Sequence, residues 1–260
     1  MMTIKNDSNK MQYVKLNTKT TCQTGMMYIS FLLFAYGCIN QNSQKENLYA
    51  TADGLILASL DAAGQTKDRE SIQNLIAVAD CNSPKGNYIT ETHTATGGYS
   101  YFKQTYSYSP DPFEAVIQNK TDGFQVGDTS HPLPKEAVYT IRGHEFHNII
   151  LEVNSRFHDF QKPVVVEIDS TRMYSLKAKD ELNHDCSLFF SVKTNLLTAI
   201  HFQNPGDEKE IIKTEFSGWK TTGRLQLPYH VRIDQGGKIF TFDYTRISFN
   251  SPGFQYRRHP

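Results

Sequence analysis

The sequence predicts an α+β fold in which a long antiparallel sheet with one apolar face is covered by helices. Residues 211–249 alternate apolar and polar side chains in three successive runs, which is the pattern of strands with one buried face. Similar runs, separated by Gly, Asn and Asp turns, occupy most of residues 75–126 and 164–203. Two segments with helical spacing, at residues 48–64 and 134–153, can cover the apolar face.

The composition allows a large core and excludes a polyanionic partner. The chain has 260 residues, of which 38% are hydrophobic and 12% aromatic, enough for one sizeable domain. Lys and Arg number 27, as do Asp and Glu, and no segment gathers the basic residues. We therefore expect no nucleic-acid partner.

The first 38 residues have the pattern of an export signal. The apolar run Met26–Gly37 would extend about 18 Å as a helix, short of a ~30 Å hydrocarbon core. Lys15 and Lys19 precede this run, and small residues follow it, as in a signal peptide. Cleaved soluble secretion and a buried apolar helix are the alternatives to membrane anchoring.

The end of this signal resembles a bacterial lipobox. Ala35-Tyr36-Gly37-Cys38 matches its small residues and its cysteine, with Ala35 where Leu is usual. The resemblance implies that Cys38 is acylated and anchors the mature protein to a membrane. Residues 39–47 then form a polar linker, and residues 48–260 form a single domain.

The domain is expected to begin with an amphipathic helix of about four turns, ended by Gly64. A first strand then contains Leu75–Val78. The apolar positions of the helix recur at three- and four-residue spacing: Leu48, Ala52, Leu55, Ile56, Ser59, Leu60 and Ala63.

A β-hairpin is predicted next, with its turn at Gly97-Gly98. Its strands are the Thr- and Tyr-rich segments 86–96 and 98–109. Phe113–Gln118 is another strand, and a turn at residues 120–123 returns it to Phe124.

A helical lid is predicted between the two halves of the sheet. His131-Pro132-Leu133-Pro134 ends the first half, and Pro134 suits a first helical position. Gly143 is expected to kink or divide the helix, which lies across the aromatic face of the sheet. The apolar face of this lid follows helical spacing: Val138, Ile141, Glu145, Ile149 and Val153.

The lid also carries the histidines His144 and His147, which could bind a metal with Glu145 or His158. Their spacing is not that of a metalloprotease motif, and the alternative is hydrogen bonding at the helix ends. Because nucleotide-binding and nucleophile motifs are also absent from the sequence, we expect no catalytic residues, no bound metal, no cofactor and no enzyme activity.

Two cysteines fall within the predicted domain, Cys81 and Cys186. In an exported protein they could form a disulfide. Two free buried thiols are the alternative, because the sequence does not give the distance between their Cα atoms.

The second half of the chain is predicted to be a run of antiparallel strands joined by tight turns. The strands are Val164–Ile168, Thr171–Lys179, Ser187–Val192, Leu196–Gln203 and the three within residues 211–249.

At this level the chain resembles the LolA/LolB/RseB-like lipoprotein-carrier superfamily. The matching stretches are residues 60–64, 72–75, 121–124, 146–147, 189–197, 216 with 223–228, and 247–250. The resemblance implies a strongly curved antiparallel sheet, an incomplete barrel, whose concave face is capped by helices and receives acyl chains or a lipidated peptide. Together with the lipobox-like sequence, it leads us to expect a monomer in the bacterial envelope, lipid-anchored at the outer membrane and facing the periplasm.

An apolar ligand, a lipid or acylated protein, is therefore expected between sheet and lid. A closed core with a protein-interaction or sensor surface is the alternative, and a metal-dependent hydrolase using His144 and His147 is a third reading. The predicted pocket comprises inward aromatics, a rim tryptophan and two lid residues: Tyr229, Phe240, Phe242, Tyr244, Trp219, Ile141 and Ile149.

Overall fold

The computed structural model describes residues 49–204 and 207–257. The predicted export signal, the linker and Cys38 lie outside these residues. None of the described helices is long and apolar enough to cross a bilayer.

Within the described residues, fourteen strands form one antiparallel sheet that does not close on itself. The spatial order is β6-β5-β4-β3-β2-β1-β14-β13-β12-β11-β10-β9-β7, with β8 paired to β9. The strands are β1 Asn74–Ser83, β2 Gly86–Ala95, β3 Tyr99–Tyr106, β4 Phe113–Ile117, β5 Gly123–Gln125, β6 Asp128–Pro132, β7 Phe157–His158, β8 Val164–Ile168, β9 Thr171–Asp180, β10 Asp185–Ser191, β11 Leu197–Asn204, β12 Asp207–Thr222, β13 Leu225–Gln235 and β14 Lys238–Phe249.

The order of strands confirms the predicted meander interrupted once by helices. Strands β1–β6 form one run and β7–β14 the other, and the runs are joined by the antiparallel pairing of β1 with β14. The helices are α1 Ala52–Ala63, α2 Thr66–Glu70, α3 Lys135–Gly143, α4 Phe146–Leu151 and α5 Val153–Arg156. The predicted lid is thus divided after Gly143.

Helix α1 is capped at its N-terminus by Thr51, whose hydroxyl accepts a hydrogen bond of 3.2 Å from the Gly54 N–H. This satisfies one of the otherwise unpaired amides of the first turn. The helix ends at the predicted Gly64, but its φ of 162° is extended backbone. Glycine is needed there because a Cβ would lie 2.3 Å from a Leu225 methyl carbon.

The main core lies on the concave face of the sheet, where α1, α4 and α5 cover it. In β1, Leu75, Ala77, Ala79 and Cys81 all face this core, as the two-residue period of a strand requires. The pairing of β1 with β14 shifts by one residue between Val78 and Ala79, and such bulges bend a sheet.

A smaller core lies under α3, where Val138 and Ile141 pack on Phe102, Ala115 and Ile117. The first half of the sheet ends within the predicted break at residues 131–134, since β6 extends to Pro132, which pairs with Phe124. Pro132 is tolerated there because β6 is an edge strand and needs no further amide donor.

The C-terminal residues cover the opposite, convex face of β3 and β4. Phe254 packs on Tyr99 and Tyr101, and the Arg257 N–H donates to the Tyr99 hydroxyl at 2.8 Å. The Arg257 guanidinium lies 4.3 Å from the centre of the Tyr101 ring and 2.6 Å from a Glu114 oxygen.

Candidate ligand-binding cavity

A cavity of about 790 Å³ lies between the concave face of the sheet and the lid helices. Helices α3 and α4 form one wall through Tyr139, Gly143, His144, Phe146 and Ile149. Strands β10–β14 form the facing wall through Cys186, Ile200, Phe202, Ile212, Thr214, Phe216, Ile233, Phe240 and Phe242. This volume falls in the range typical of small-molecule sites.

The strand register places the aromatic residues of β14 in this wall. Phe242 lies directly opposite Val231, and Phe240 lies opposite Ile233, so all four side chains share the concave face. The Phe242 ring packs edge-on against Phe146 of the lid, with ring centres 5.2 Å apart. Aromatic contacts therefore hold the lid onto the sheet.

The cavity opens at one end of the sheet. Its lining there includes Lys85 of the β1–β2 turn, Lys238 at the start of β14 and Asn204 at the end of β11. Lys85 and Lys238 are both exposed. We call this opening the mouth.

Three tyrosines lead from the interior of the cavity to the mouth. The ring of buried Tyr88 lies 5.5 Å from that of Tyr106, which lies 5.1 Å from that of Tyr108. Tyr108 is 54% exposed. Because tyrosine has an apolar ring and a polar tip, this row suits a passage from water into an apolar interior.

The main acidic group of the lining is Asp180, which is only 3% exposed. Its Oδ1 accepts hydrogen bonds from the N–H groups of Leu182 and His184, at 2.9 and 2.8 Å. Its Oδ2 accepts the hydroxyl proton of Tyr139. Burial, followed by this hydrogen bond, raises the pKa of Tyr139. Asp180 therefore fixes α3 to β9 and has few lone pairs left for a ligand.

Two ion pairs also hold the lid helices in place. The Arg142 guanidinium forms a bidentate salt bridge with Glu181, with N–O distances of 2.6 and 2.9 Å. Arg156 of α5 forms an ion pair with Glu145. Glu145, Arg142 and Arg156 are all buried. Removing one partner of such a buried pair is costly because a charge is left uncompensated.

The structure brings three of the seven predicted pocket residues to the cavity, namely Phe240, Phe242 and Ile149. Phe240 is half-buried, whereas Phe242 is 1% exposed and Ile149 is 9% exposed. Phe240 therefore has the most exposed side chain of the three.

The other four predicted residues lie elsewhere. Tyr229, Tyr244 and Trp219 are farther from the mouth along their strands and pack against the main core. Since each residue of a strand adds about 3.3 Å, Tyr244 lies about 7 Å beyond Phe242. Ile141 belongs to the smaller core under α3.

Several cavity residues were absent from the prediction. The row Tyr88, Tyr106 and Tyr108 and the lid aromatics Tyr139 and Phe146 all line the cavity. The frequent tyrosines in the strands of the first hairpin are the sequence feature that could have indicated this tyrosine row.

The histidines of the lid do not converge on a metal site. His147 is buried, and its Nε2–H donates to the Pro228 carbonyl at 3.0 Å. His144 Nδ1 lies 2.8 Å from the Thr140 carbonyl, and His158 contacts the Asn183 side chain instead. Within the described residues, no group of three His, Cys, Asp or Glu is arranged to hold a metal.

Cys81 and Cys186 are both free and buried, so the possible disulfide is not formed. Four strands separate β1 from β10 in the sheet order. The Cys81 thiol contacts the Thr90 hydroxyl at 3.4 Å, and the Cys186 thiol donates to the Ala178 carbonyl at 3.4 Å.

No protein-family model matches the chain, and no curated protein does. Several solved structures are similar to it. A LolA superfamily protein from Nitrosomonas europaea is 12% identical with a TM-score of 0.53, over 75% of this chain and 92% of that one. A domain of an outer membrane lipoprotein-sorting protein from Vibrio parahaemolyticus is 8% identical with a TM-score of 0.46, over 77% and 95%. The lipoprotein LppX from Mycobacterium tuberculosis is 12% identical with a TM-score of 0.30, over 78% and 98%.

At these identities the likeness concerns the fold, and of these three structures the Nitrosomonas protein has a TM-score above 0.5. The open antiparallel sheet and its covering helices agree with it. The chain therefore has the fold of the LolA superfamily, as its sequence resemblance indicated.

Proposed function

We propose that this chain is a non-enzymatic protein of the bacterial envelope that binds an apolar ligand, a lipid or the acyl chains of a lipidated protein. The observation that carries the proposal is the cavity of about 790 Å³ with its aromatic walls and its open mouth. The LolA-type fold supports the same proposal. Binding would need no covalent chemistry, because burial of apolar surface supplies roughly 25 cal/mol per Å².

Location follows from the sequence. We infer that Cys38 is acylated and anchors the monomer at the outer membrane, with the domain facing the periplasm. Replacing Cys38 with Ser should release the protein into the soluble fraction, and a variant that still partitions with membranes would rule out the anchor.

The ligand proposal is tested with saturated fatty acids of increasing length, measured by displacement of a fluorescent fatty acid. Each buried methylene contributes about 0.8 kcal/mol, so two more carbons should tighten binding about 15-fold until the cavity is filled. Affinity that does not change with chain length would contradict burial in the cavity.

Phe240→Asp should abolish this binding, because it places a charge in the apolar wall. Ile239→Asp is the matched control, since adjacent side chains of β14 point to opposite faces. Phe242 is a poorer choice because its full burial would make Phe242→Asp unfold the core. Equal binding by the two variants would locate the ligand elsewhere.

A second candidate is a protein-interaction module whose core stays closed. The edge strand β8 favours it, because Val164 and Val165 are 55% and 44% exposed. Exposed apolar edge strands are sites where a partner can add a strand. A chain that takes up no fatty acid, yet loses a co-purifying protein on Val164→Lys, would support this candidate.

A further inference from the structure

The mouth of the cavity carries two positive charges with no described partner. Lys85 stands in the β1–β2 turn and Lys238 at the start of β14, and both contribute to the cavity lining. Among the described residues, neither ammonium group has an ion-pair partner. Other lysines of the sheet are paired, such as Lys103 with Glu114 at 3.2 Å and Lys179 with Asp185 at 2.9 Å.

The described carboxylates beside these lysines form hydrogen bonds with other groups. Asp180 also lines the cavity, but it is buried and already accepts bonds from Tyr139 and two backbone amides. Glu210, beside the β13–β14 turn, accepts a bond from the Asn204 amide. The chain has a formal net charge of zero, so any attraction of an anion to the mouth is local.

Neutral polar side chains also line the cavity near the two lysines. Gln104, Gln235 and Ser83 line the same opening, and Tyr106 donates its hydroxyl proton to the Gln104 side-chain oxygen. The Gln104 amide N–H groups are thereby left as donors. Farther from the opening the walls become aromatic, so the cavity has an apolar interior and two lysine side chains at its opening.

We propose, on the basis of the proposed function, that the ligand is an anionic amphiphile whose phosphate or carboxylate is held at the mouth by Lys85 and Lys238. Its acyl chain would then occupy the aromatic interior. Long lysine side chains suit this arrangement, because their aliphatic stems lie along apolar surface while the ammonium group stays in water. Each ammonium offers three donors to an anionic oxygen.

The test uses purified full-length protein and ligands that differ only in the headgroup. One pair is 1-myristoylglycerol 3-phosphate and 1-myristoylglycerol, and the other is myristate and myristyl alcohol. The double variant Lys85→Gln/Lys238→Gln should weaken binding of both anionic ligands about fivefold, the order expected for two exposed ion pairs. It should leave both neutral ligands unchanged.

The matched control is Lys67→Gln/Lys162→Gln, which removes two exposed lysines away from the mouth and changes the net charge equally. It should bind all four ligands as the unmodified protein does. Added salt should erase the preference for the anionic ligands, since exposed charges are screened within about 8 Å at physiological ionic strength.

Three outcomes would overturn the proposal. If the neutral ligands bind as tightly as their anionic counterparts, the cavity binds acyl chains without headgroup selection, and the proposed function survives alone. Binding to phosphatidylglycerol vesicles is measured in parallel. If Lys85→Gln/Lys238→Gln loses binding only to these vesicles, the lysines contact a bilayer surface instead. If none of the four ligands binds, the proposed function fails as well.

Discussion

The buried His147 should make the stability of this protein depend on pH in a predictable direction. Burial lowers the pKa of His147 from 6.5 to about 4, although its bond to the Pro228 carbonyl acts in the opposite sense. In the unfolded chain the ring takes up a proton near pH 6.5. Below that pH the unfolded state therefore binds more protons than the folded state, and the free energy of unfolding falls.

The magnitude follows from the two pKa values. The contribution of His147 to the free energy of unfolding is fully present above about pH 6.5. It falls by roughly 1.4 kcal/mol for each pH unit as the pH approaches 4. By pH 4.5 the contribution of His147 amounts to a loss of about 2.5 kcal/mol relative to pH 7.5. Further acidification below pH 4 adds little, because both states are then protonated.

Urea unfolding at pH 7.5, 5.5 and 4.5 measures this contribution. His147→Gln keeps a side-chain N–H for the Pro228 carbonyl and removes the titrating ring. Its loss of stability on acidification should be smaller than that of the unmodified protein by about 2.5 kcal/mol at pH 4.5. His158→Gln, which removes an exposed imidazole, is the control for the loss of a histidine. Parallel pH profiles for the unmodified protein and His147→Gln would refute the reasoning.

Three further predictions concern stability and reactivity. A double-mutant cycle of Arg142→Met and Glu181→Gln should give a coupling energy of about 1–3 kcal/mol by urea unfolding, and additive effects would contradict a lid held by this pair. Gly64→Ala should destabilise by about 1–3 kcal/mol because its Cβ would overlap a leucine methyl group, and an unchanged urea midpoint would contradict that packing. Burial raises the pKa of Cys81 to about 11 and that of Cys186 to about 12. In protein lacking residues 1–38, both thiols should therefore react with a disulfide reagent at pH 8 much more slowly when folded than when unfolded, and equal rates in the two states would contradict the raised pKa values.

The features that sequence predicted well are those decided by local periodicity. Alternation in residues 238–249 places Phe240 and Phe242 on the concave face, and helical spacing identifies α1 and the lid. The same pattern does not tell how far along a strand a cavity extends. Tyr244 has the same orientation as Phe242, but it lies deeper, where the core is filled.

The tyrosine row was missed because it depends on the register of one hairpin. A two-residue turn at Gly97-Gly98 would pair Thr96 with Tyr99. The structure instead closes the hairpin with three residues, so that Ala95 lies opposite Tyr99 and Tyr88 opposite Tyr106. A one-residue change of register moves every side chain to the other face. The charged pairs of the lid were also unpredictable, because Arg142 and Glu181 come together only through the folded sheet.

The pairing of β1 with β14 also bears on how the chain acquires its structure. Leu75 lies opposite Phe249, so the central seam of the sheet joins the earliest strand to the latest one. Contacts between residues so far apart in sequence are slow to form, because a large loop must close before they contribute. Until β14 is available, β1 has an open edge next to apolar side chains, and such edges promote aggregation. A chain that emerges from its amino terminus first would therefore depend on a holding chaperone until its last strand has arrived.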